Sequence, residues 1–268
     1  MMKPEFDAIA ENYDQSFTDL PIGRLQRNQV HRFLDPILLT LKSKNVLDLG
    51  CGTGEDAIWF ARKDFVVTAI DYSSEMIQVA NQKSSAKNLH SKIKYYPLSI
   101  TELEQLPDDL KFDLIFSDFG ALNCIDPSFL TTLSQTLYNR LEPHGHFVAV
   151  ILNRFCLWES FYFILKRKFK RVFRRINSDG IMAPLTKDIK IKTHYHNPGG
   201  FYFFFQQHFK KSRYSPIGLF VPPSYLTWFE KQKNIKWLIF LDKLDQLNPF
   251  KTVSSYASDH FIIHMTRK

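Results

Sequence analysis

Three glycines at alternate positions, Gly50, Gly52 and Gly54, sit inside the run VLDLGCGTGEDA (46–57). Carboxylates surround them: Asp48 precedes, Glu55 and Asp56 follow, and Asp71 ends the next apolar run, FVVTAID (65–71). Glycines so spaced let the backbone turn tightly and approach a ligand. The charges decide which ligand. A dinucleotide loop reads GxGxxG, but Glu55 holds the place of its third glycine, and Asp48, Glu55 and Asp56 would put negative charge beside a pyrophosphate. No Lys-Ser/Thr pair follows, so the triphosphate loop is also excluded.

A ligand with cationic groups, a carboxylate, a ribose and no phosphate fits these residues. S-adenosylmethionine is such a ligand. Asp48 would favour its cationic end, and the N–H groups of residues 50 to 54 would meet its carboxylate. Asp71 lies 21 positions after Gly50, close to the offset of about 20 at which an acid meets a ribose in nucleotide-binding sheets. A tight turn without a ligand is the plainer reading, and the acids and Asp71 together argue against it.

The surrounding elements must hold this loop. NVLDLG (45–50), FVVTAID (65–71), KIKYYPL (92–98), FDLIFSDF (112–119) and HFVAVIL (146–152) read as buried strands. EDAIWFARK, SSEMIQVANQK (73–83) and PSFLTTLSQTLYNRL (127–141) read as the helices between them. Such alternation predicts an α/β fold with a parallel sheet covered on both faces. Beyond residue 155 the pattern is less regular. A basic, aromatic helix is expected over 161–176, a short strand over 189–197, a helix over 198–209 and a strand over 212–221. A helical region is expected from PPSYLTWF to about Leu247, and a last strand over 259–268.

The chain has 268 residues, enough for one sizeable core, and a net charge of +8 that is unevenly placed. Residues 1–150 carry 14 Lys and Arg against 20 Asp and Glu; residues 151–268 carry 21 against 7. The C-terminal part thus faces something anionic or is a solvated basic surface. No apolar run reaches the roughly 18 residues of a membrane span. The acidic start MMKPEFDAIAENYD is unlike a secretory leader, and Cys51, Cys124 and Cys156 show no CxxC spacing. A cytoplasmic protein with no disulfide frame and no metal site is the expectation.

Five segments carry a family resemblance: FDAIAENYD (6–14), VLDLGCGTGEDA (46–57), VTAIDYSSEMIQVA (67–80), FDLIFSDFGALNCI (112–125) and LEPHGHFVAVIL (141–152). Together they resemble a class I S-adenosylmethionine-dependent methyltransferase of the small-molecule type, similar to the quinone-biosynthesis group. The resemblance implies a Rossmann-like seven-stranded sheet with an antiparallel last strand and lid insertions, aromatic and basic, after strands five and six. It implies an N-terminal helical cap (1–40), a cofactor-binding core (41–155), a lid (156–209) and a C-terminal part with strands six and seven around an inserted helix (210–268). It assigns Asp48, Gly50, Cys51, Gly52 and Gly54 to the cofactor loop, Asp71 to the ribose, Tyr72 and Met76 to the adenosine, and Ser117 to the methionine moiety. Tyr13 would close over the cofactor and line the reaction centre. The family's acid after strand three is missing, since the chain reads PLSITE, so Ser99 or Ile100 must serve near the adenine.

The acceptor is less legible. The place after strand four reads SDFGA, without the Pro-Pro loop of enzymes that methylate planar nitrogens. Aromatics Phe155, Trp158, Phe161 and Tyr162, then Phe220, Tyr225 and Trp228, point to an apolar lining, while Phe201 to Phe205 read better as core. The expected partner is a small acceptor, hydrophobic and anionic, such as a quinol, phenol, polyketide or lipid intermediate. His194 and His196 in THYH (193–196) would share a strand face, where one would serve as general base, with surface polar residues as the plainer reading. KRKFKRVFRR (166–175) has seven Lys and Arg in ten positions amid an apolar side. That favours pocket cover or peripheral membrane contact through residues 161–176 over nucleic acid. The alternatives are an RNA or protein methyltransferase docking through the basic C-terminal part, and a module that binds the cofactor without catalysis.

Overall fold

The computed structural model describes residues 5–186, 188–226 and 235–268. Its seven-stranded sheet has the order β3-β2-β1-β4-β5-β9-β8. The strands are β1 (Asn45–Leu49), β2 (Val66–Asp71), β3 (Ile93–Pro97), β4 (Phe112–Ser117), β5 (Leu141–Leu152), β8 (Phe209–Ile217) and β9 (His260–Arg267). The first five run parallel, and β9 runs antiparallel to both β5 and β8. Strands six and seven of the expected sheet are therefore β8 and β9. The former begins three residues earlier than its apolar pattern indicates and ends at Ile217, with a register shift between Lys211 and Arg213.

Alternation along the strands builds two cores. Phe147, Ala149 and Ile151 of β5 face one side, with Leu47 and Leu49 of β1. That side is covered by α4 (Pro127–Arg140) and α6 (Pro198–Phe205). Val148 and Val150 face the other side with Val46, under α1 (Pro21–Leu38) and α2 (Glu55–Arg62). Buried apolar residues of period two on both faces are what a doubly covered parallel sheet demands. Asp48 shares its face with Val46 and so points toward α1 and α2 rather than into the other core. Helix α3 (Ser74–Ala86) starts from Ser73, whose side chain caps the Met76 N–H at 3.1 Å.

Several expectations change. Residues 161–176 are not one helix: α5 (Leu157–Leu165) stops, Arg167 takes φ +53°, and two short 3-10 turns follow at Phe169–Arg171 and Arg174–Ile176. A hairpin absent from the sequence reading pairs β6 (Ile181–Pro184) with β7 (Lys190–Thr193), outside the main sheet. The expected strand over 189–197 is thus only four residues long. Helix α6 belongs to the main core, where Phe201 and Phe205 are fully buried. Within the expected cap, α1 also belongs to the core through Val30, Leu34 and Ile37. Only the 3-10 segment Glu5–Asn12 and the π turn Asp14–Thr18 remain as a strap before it. Of the helical region expected from residue 222, α7 (Ile235–Leu247) is present, with a short α8 (Lys251–Ser254) after it; Trp228 lies outside the described residues. No helix among the described residues is long and apolar enough to cross a membrane.

Candidate cofactor site and active site

The chain leaves β1 and returns to the sheet on one side through β2, and later on the other through β4. The crevice at that switch point is where open α/β sheets bind ligands. Here Gly50 and Cys51 both donate their N–H groups to the Ile70 carbonyl at 2.9 Å, which folds the loop back over β2. Gly50, at φ +71°, passes so close to the loop after β4 that a Cβ on it would lie 2.4 Å from the Ala121 Cβ. Gly52, at φ +51°, has nothing within 4 Å of that position. One glycine is required by packing, and the other leaves open space beside the backbone. Gly54 precedes the first turn of α2 and lies under Tyr95, a β3 residue the sequence reading did not single out.

The acids are arranged differently around that space. Asp71 ends β2, and its two carboxylate oxygens accept from the N–H groups of Gly52 and Ser73, each at 2.9 Å. Burial pushes its carboxyl up, and those two bonds oppose the shift. The carboxylate keeps lone pairs for a ribose while it braces the loop. Asp48 is 1% exposed, and its Oδ2 has no hydrogen-bond partner. Burial, then the charge of Asp56, pushes its carboxyl well above the usual range, against the pull of Arg27. A buried, unpartnered carboxyl oxygen is costly unless a donor or cation meets it. Open backbone at Gly52, a braced Asp71 and the unpartnered Oδ2 of Asp48 together fit a cationic nucleoside without phosphate.

The remaining cofactor candidates surround the same loop. Ser117 ends β4 and donates its hydroxyl to the Leu49 carbonyl at 3.0 Å. Ile100 is buried, with its Cδ1 3.6 Å from where a Gly50 Cβ would stand. Ser99 caps the 3-10 turn Ile100–Gln105 by accepting from the Thr101 N–H at 3.2 Å. Met76 is buried in the first turn of α3, and Cys51 is half-buried with burial pushing its thiol well up. Tyr72 is 42% exposed, and its hydroxyl is tied to the Glu5 carboxylate.

That last bond belongs to the strap, whose side-chain ties the sequence did not reveal. Ser73 donates to Asp7 at 2.6 Å, Thr53 donates to Asp14 at 2.6 Å, and Lys83 bridges Asp14 at 2.6 Å and Glu55 at 2.5 Å. Residues 5–14 thus lie over the residues that follow Asp71 and Gly52. Tyr13 joins the two turns of the strap, with its hydroxyl pushed up to about 12 by burial, opposed by Arg27 and reinforced by Asp118 and Asp71. Arg27 of α1 is itself clamped: it donates to Asp56 and, at 3.3 Å, to Asp118. His31 reaches the other Asp56 oxygen at 2.9 Å. The Arg27 guanidinium lies 5.1 Å from the Phe119 ring centre, and Phe17 meets Phe119 edge-on at 5.0 Å. Asp56 and Asp118 were visible beside the motifs. The i, i+4 spacing of Arg27 and His31 places both on one helix face, but no residue type in α1 says that this face meets the crevice. A cleft of about 480 Å³ opens on the outer side of this group, between Arg27, His31, Trp59 and Arg62, and neither Asp48 nor Asp71 lines it.

The two histidines lie in the segment after β7, against the loop that follows β4. β7 ends at Thr193, so His194 and His196 do not share one strand face; His196 instead forms a separate bridge with Asn153. Both are buried rather than on the surface. The His194 backbone is clamped by Asn123, through N–H to carbonyl at 2.7 Å and side-chain amide to carbonyl at 2.6 Å. His196 packs edge-on against Phe201 and Phe204, and burial holds its imidazole down to about 4.

Beneath the lid, Arg175 is buried and ties three segments together. It donates to Glu159 at 3.1 Å, to the Asn153 and Asp259 carbonyls at 3.1 Å each, and to the Asp259 carboxylate at 2.8 Å. Arg174 adds a two-pronged contact to Glu159 at 2.7 and 3.0 Å. Two cations of the basic run therefore face inward.

With this geometry, residues 46–145 match the family model of a methyltransferase domain. The chain is 40% identical over 104 residues to a Geobacillus sp. (strain WCH70) protein named as a methyltransferase, across 38% of this chain and 40% of that one. It is 29% identical over 163 residues to the ubiquinone/menaquinone biosynthesis C-methyltransferase of Geotalea daltonii, across 59% of this chain and 66% of that one. The matches thus span less than two thirds of either relative. A S-adenosylmethionine-dependent methyltransferase of Methanosarcina mazei superposes with a TM-score of 0.58 at 17% identity, over 86% of this chain and 96% of that one, a likeness of fold. Residues 46–145 therefore match a methyltransferase domain, and the chain shares the fold of S-adenosylmethionine-dependent methyltransferases.

Proposed function

We propose that the protein transfers a methyl group from S-adenosylmethionine to a small apolar or aromatic acceptor. When bound, the cofactor supplies a methyl already activated on a sulfonium. The chain's task is then to hold, align and dry the reacting groups. Asp71 would hold the ribose, Asp48 the cationic end, and Met76, Ile100 and Ser99 the adenosine. Tyr13 would close the centre from the strap.

The observation that carries the acceptor class is the aromatic group Tyr13, Phe17 and Phe119 beside Arg27, at the post-β4 end of the crevice. Flat rings suit an aromatic or apolar molecule. A relative named for C-methylation in ubiquinone and menaquinone biosynthesis is consistent with that class. We assign the proton acceptor to Asp118 rather than to His194 or His196. Burial and Asp56 push the Asp118 carboxyl well up against the pull of Arg27, which makes it a stronger proton acceptor, whereas His196 is held down to about 4. RNA methylation is the alternative reading: Arg174 and Arg175 are engaged with Glu159 and Asp259, while the other five cations of the run are exposed to track phosphates.

The test is transfer of isotopically labelled methyl to an extract of the source cells, followed by separation of small molecules from macromolecules and mass spectrometry of the product. Label in an apolar small molecule is expected. Label confined to RNA or protein overturns the acceptor class, and no label in any fraction overturns methyl transfer.

A further inference from the structure

Helix α5 turns its apolar side outward. Leu157, Phe161, Ile164 and Leu165 follow the spacing of one helix face, and each is 47–51% exposed. Its inward side carries Glu159, Ser160 and Phe163, all buried, with Glu159 held by Arg174 and Arg175. An ordinary surface helix carries charged and polar residues on its outer face, where this one carries four large apolar side chains. Immediately beyond it, Lys166, Arg167, Lys168, Lys170 and Arg171 are all exposed. Among the described residues none of the five has a carboxylate partner, and Lys166 only lies over the Tyr162 ring. Phe169 and Phe173 project among them, 66% and 62% exposed.

We propose that this face docks on the surface of a membrane containing anionic lipids. The charges are of one sign and unpaired, which anionic headgroups complement. The apolar residues beside them are partly aliphatic. Leu157, Ile164 and Leu165 offer no stacking surface to nucleobases, but they suit the headgroup–acyl boundary, where amphipathic helices with basic polar faces bury their apolar side. The platform is held firm from below, because Arg175 fixes the lid to the end of β5 and the start of β9. The inference does not depend on which acceptor is methylated, or on whether one is.

The experiment is co-sedimentation of the full chain with vesicles of phosphatidylcholine carrying about 30% phosphatidylglycerol, against pure phosphatidylcholine, at low and high salt. Partitioning is expected on the anionic vesicles alone and should weaken with salt. Each surface cation contributes about fivefold, so Lys168→Ala, Lys170→Ala and Arg171→Ala combined should lower partitioning roughly 100-fold. Phe169→Ser with Phe173→Ser should lower it at least tenfold and leave a weaker, fully salt-sensitive remainder. All five side chains are exposed, so thermal melts should be unchanged. Equal partitioning on neutral vesicles, none on anionic ones, or no loss in the charge variant overturns the proposal. So does tighter binding to polyuridylate than to the vesicles, or a dimer dissolved by the Phe variants.

Discussion

Asp48→Asn should move binding and stability in opposite directions. The side chain is 1% exposed and its Oδ2 has no partner, so the carboxyl is charged only at a cost. Burial and Asp56 hold its pKa well above the unfolded value of about 3.9. A raised folded value means that its favourable contribution is complete below pH about 4 and is lost as the pH climbs through the folded pKa. The unliganded Asn variant should therefore melt higher than wild type at neutral and alkaline pH, by about 2–4 °C per kcal/mol relieved, and the gap should close in acid. S-adenosylmethionine binding should weaken instead. Losing a charged contact to a cation costs about 1.5–3 kcal/mol, or roughly 10- to 150-fold in Kd. Titration calorimetry in buffers of different ionisation enthalpy should also show wild-type Asp48 releasing a proton on binding, and the variant releasing none. An unchanged Kd, with proton release intact, would refute the pairing of Asp48 with the cofactor's cationic end.

Other perturbations address the loop, the base and the lid. Gly52→Val puts a branched side chain at φ +51° and into the open space beside the loop, so no binding heat should remain, with strain of about 1–3 kcal/mol visible in the melt; retained binding would place the cofactor elsewhere. Asp118→Asn should lower kcat by roughly 10²-fold or more, with the KM for cofactor unchanged. Wild-type kcat should rise with pH through the elevated Asp118 pKa, because the carboxyl accepts a proton only once ionised; the same rise persisting in the variant would remove Asp118 from proton transfer. At the lid, burial raises Glu159 and Asp259, but Arg175 and Arg174 outweigh it at Glu159, and His260 and Arg175 at Asp259, so both are held below the ordinary range. That stability is present above pH about 4 and lost as the pH falls toward the depressed values. Glu159→Gln should melt lower at neutral pH and show a shallower decline in acid, measurable by melts from neutral to acid pH; an unchanged acid slope would contradict the ion network.

The strand pattern of the first 150 residues was legible because parallel strands buried on both faces read as apolar runs, as FDLIFS does in β4. The glycine loop was legible for the opposite reason: its residues pack poorly anywhere but at a turn. What escaped was set by distant partners. Asp7 and Asp14 look like ordinary surface acids until the fold brings Ser73 and Thr53 against them, 66 and 39 positions away. Arg27 lies in α1, where nothing in its own segment marks it as buried, yet it is clamped by Asp56 and Asp118 from two other elements. The basic run read as one amphipathic helix because its spacing ignores Glu159, which draws Arg174 and Arg175 inward and ends the regular pattern. β6 is too short, and too evenly divided between half-buried and exposed residues, to announce itself.

The most direct measurement is a crystal structure with S-adenosylhomocysteine. The account predicts ribose hydroxyls on the Asp71 carboxylate, the backbone of Gly52 against the ligand and the amino-acid end on the Asp48 side of the loop. Density for that ligand anywhere else, or a nicotinamide or nucleoside triphosphate preferred in that crevice, would contradict it.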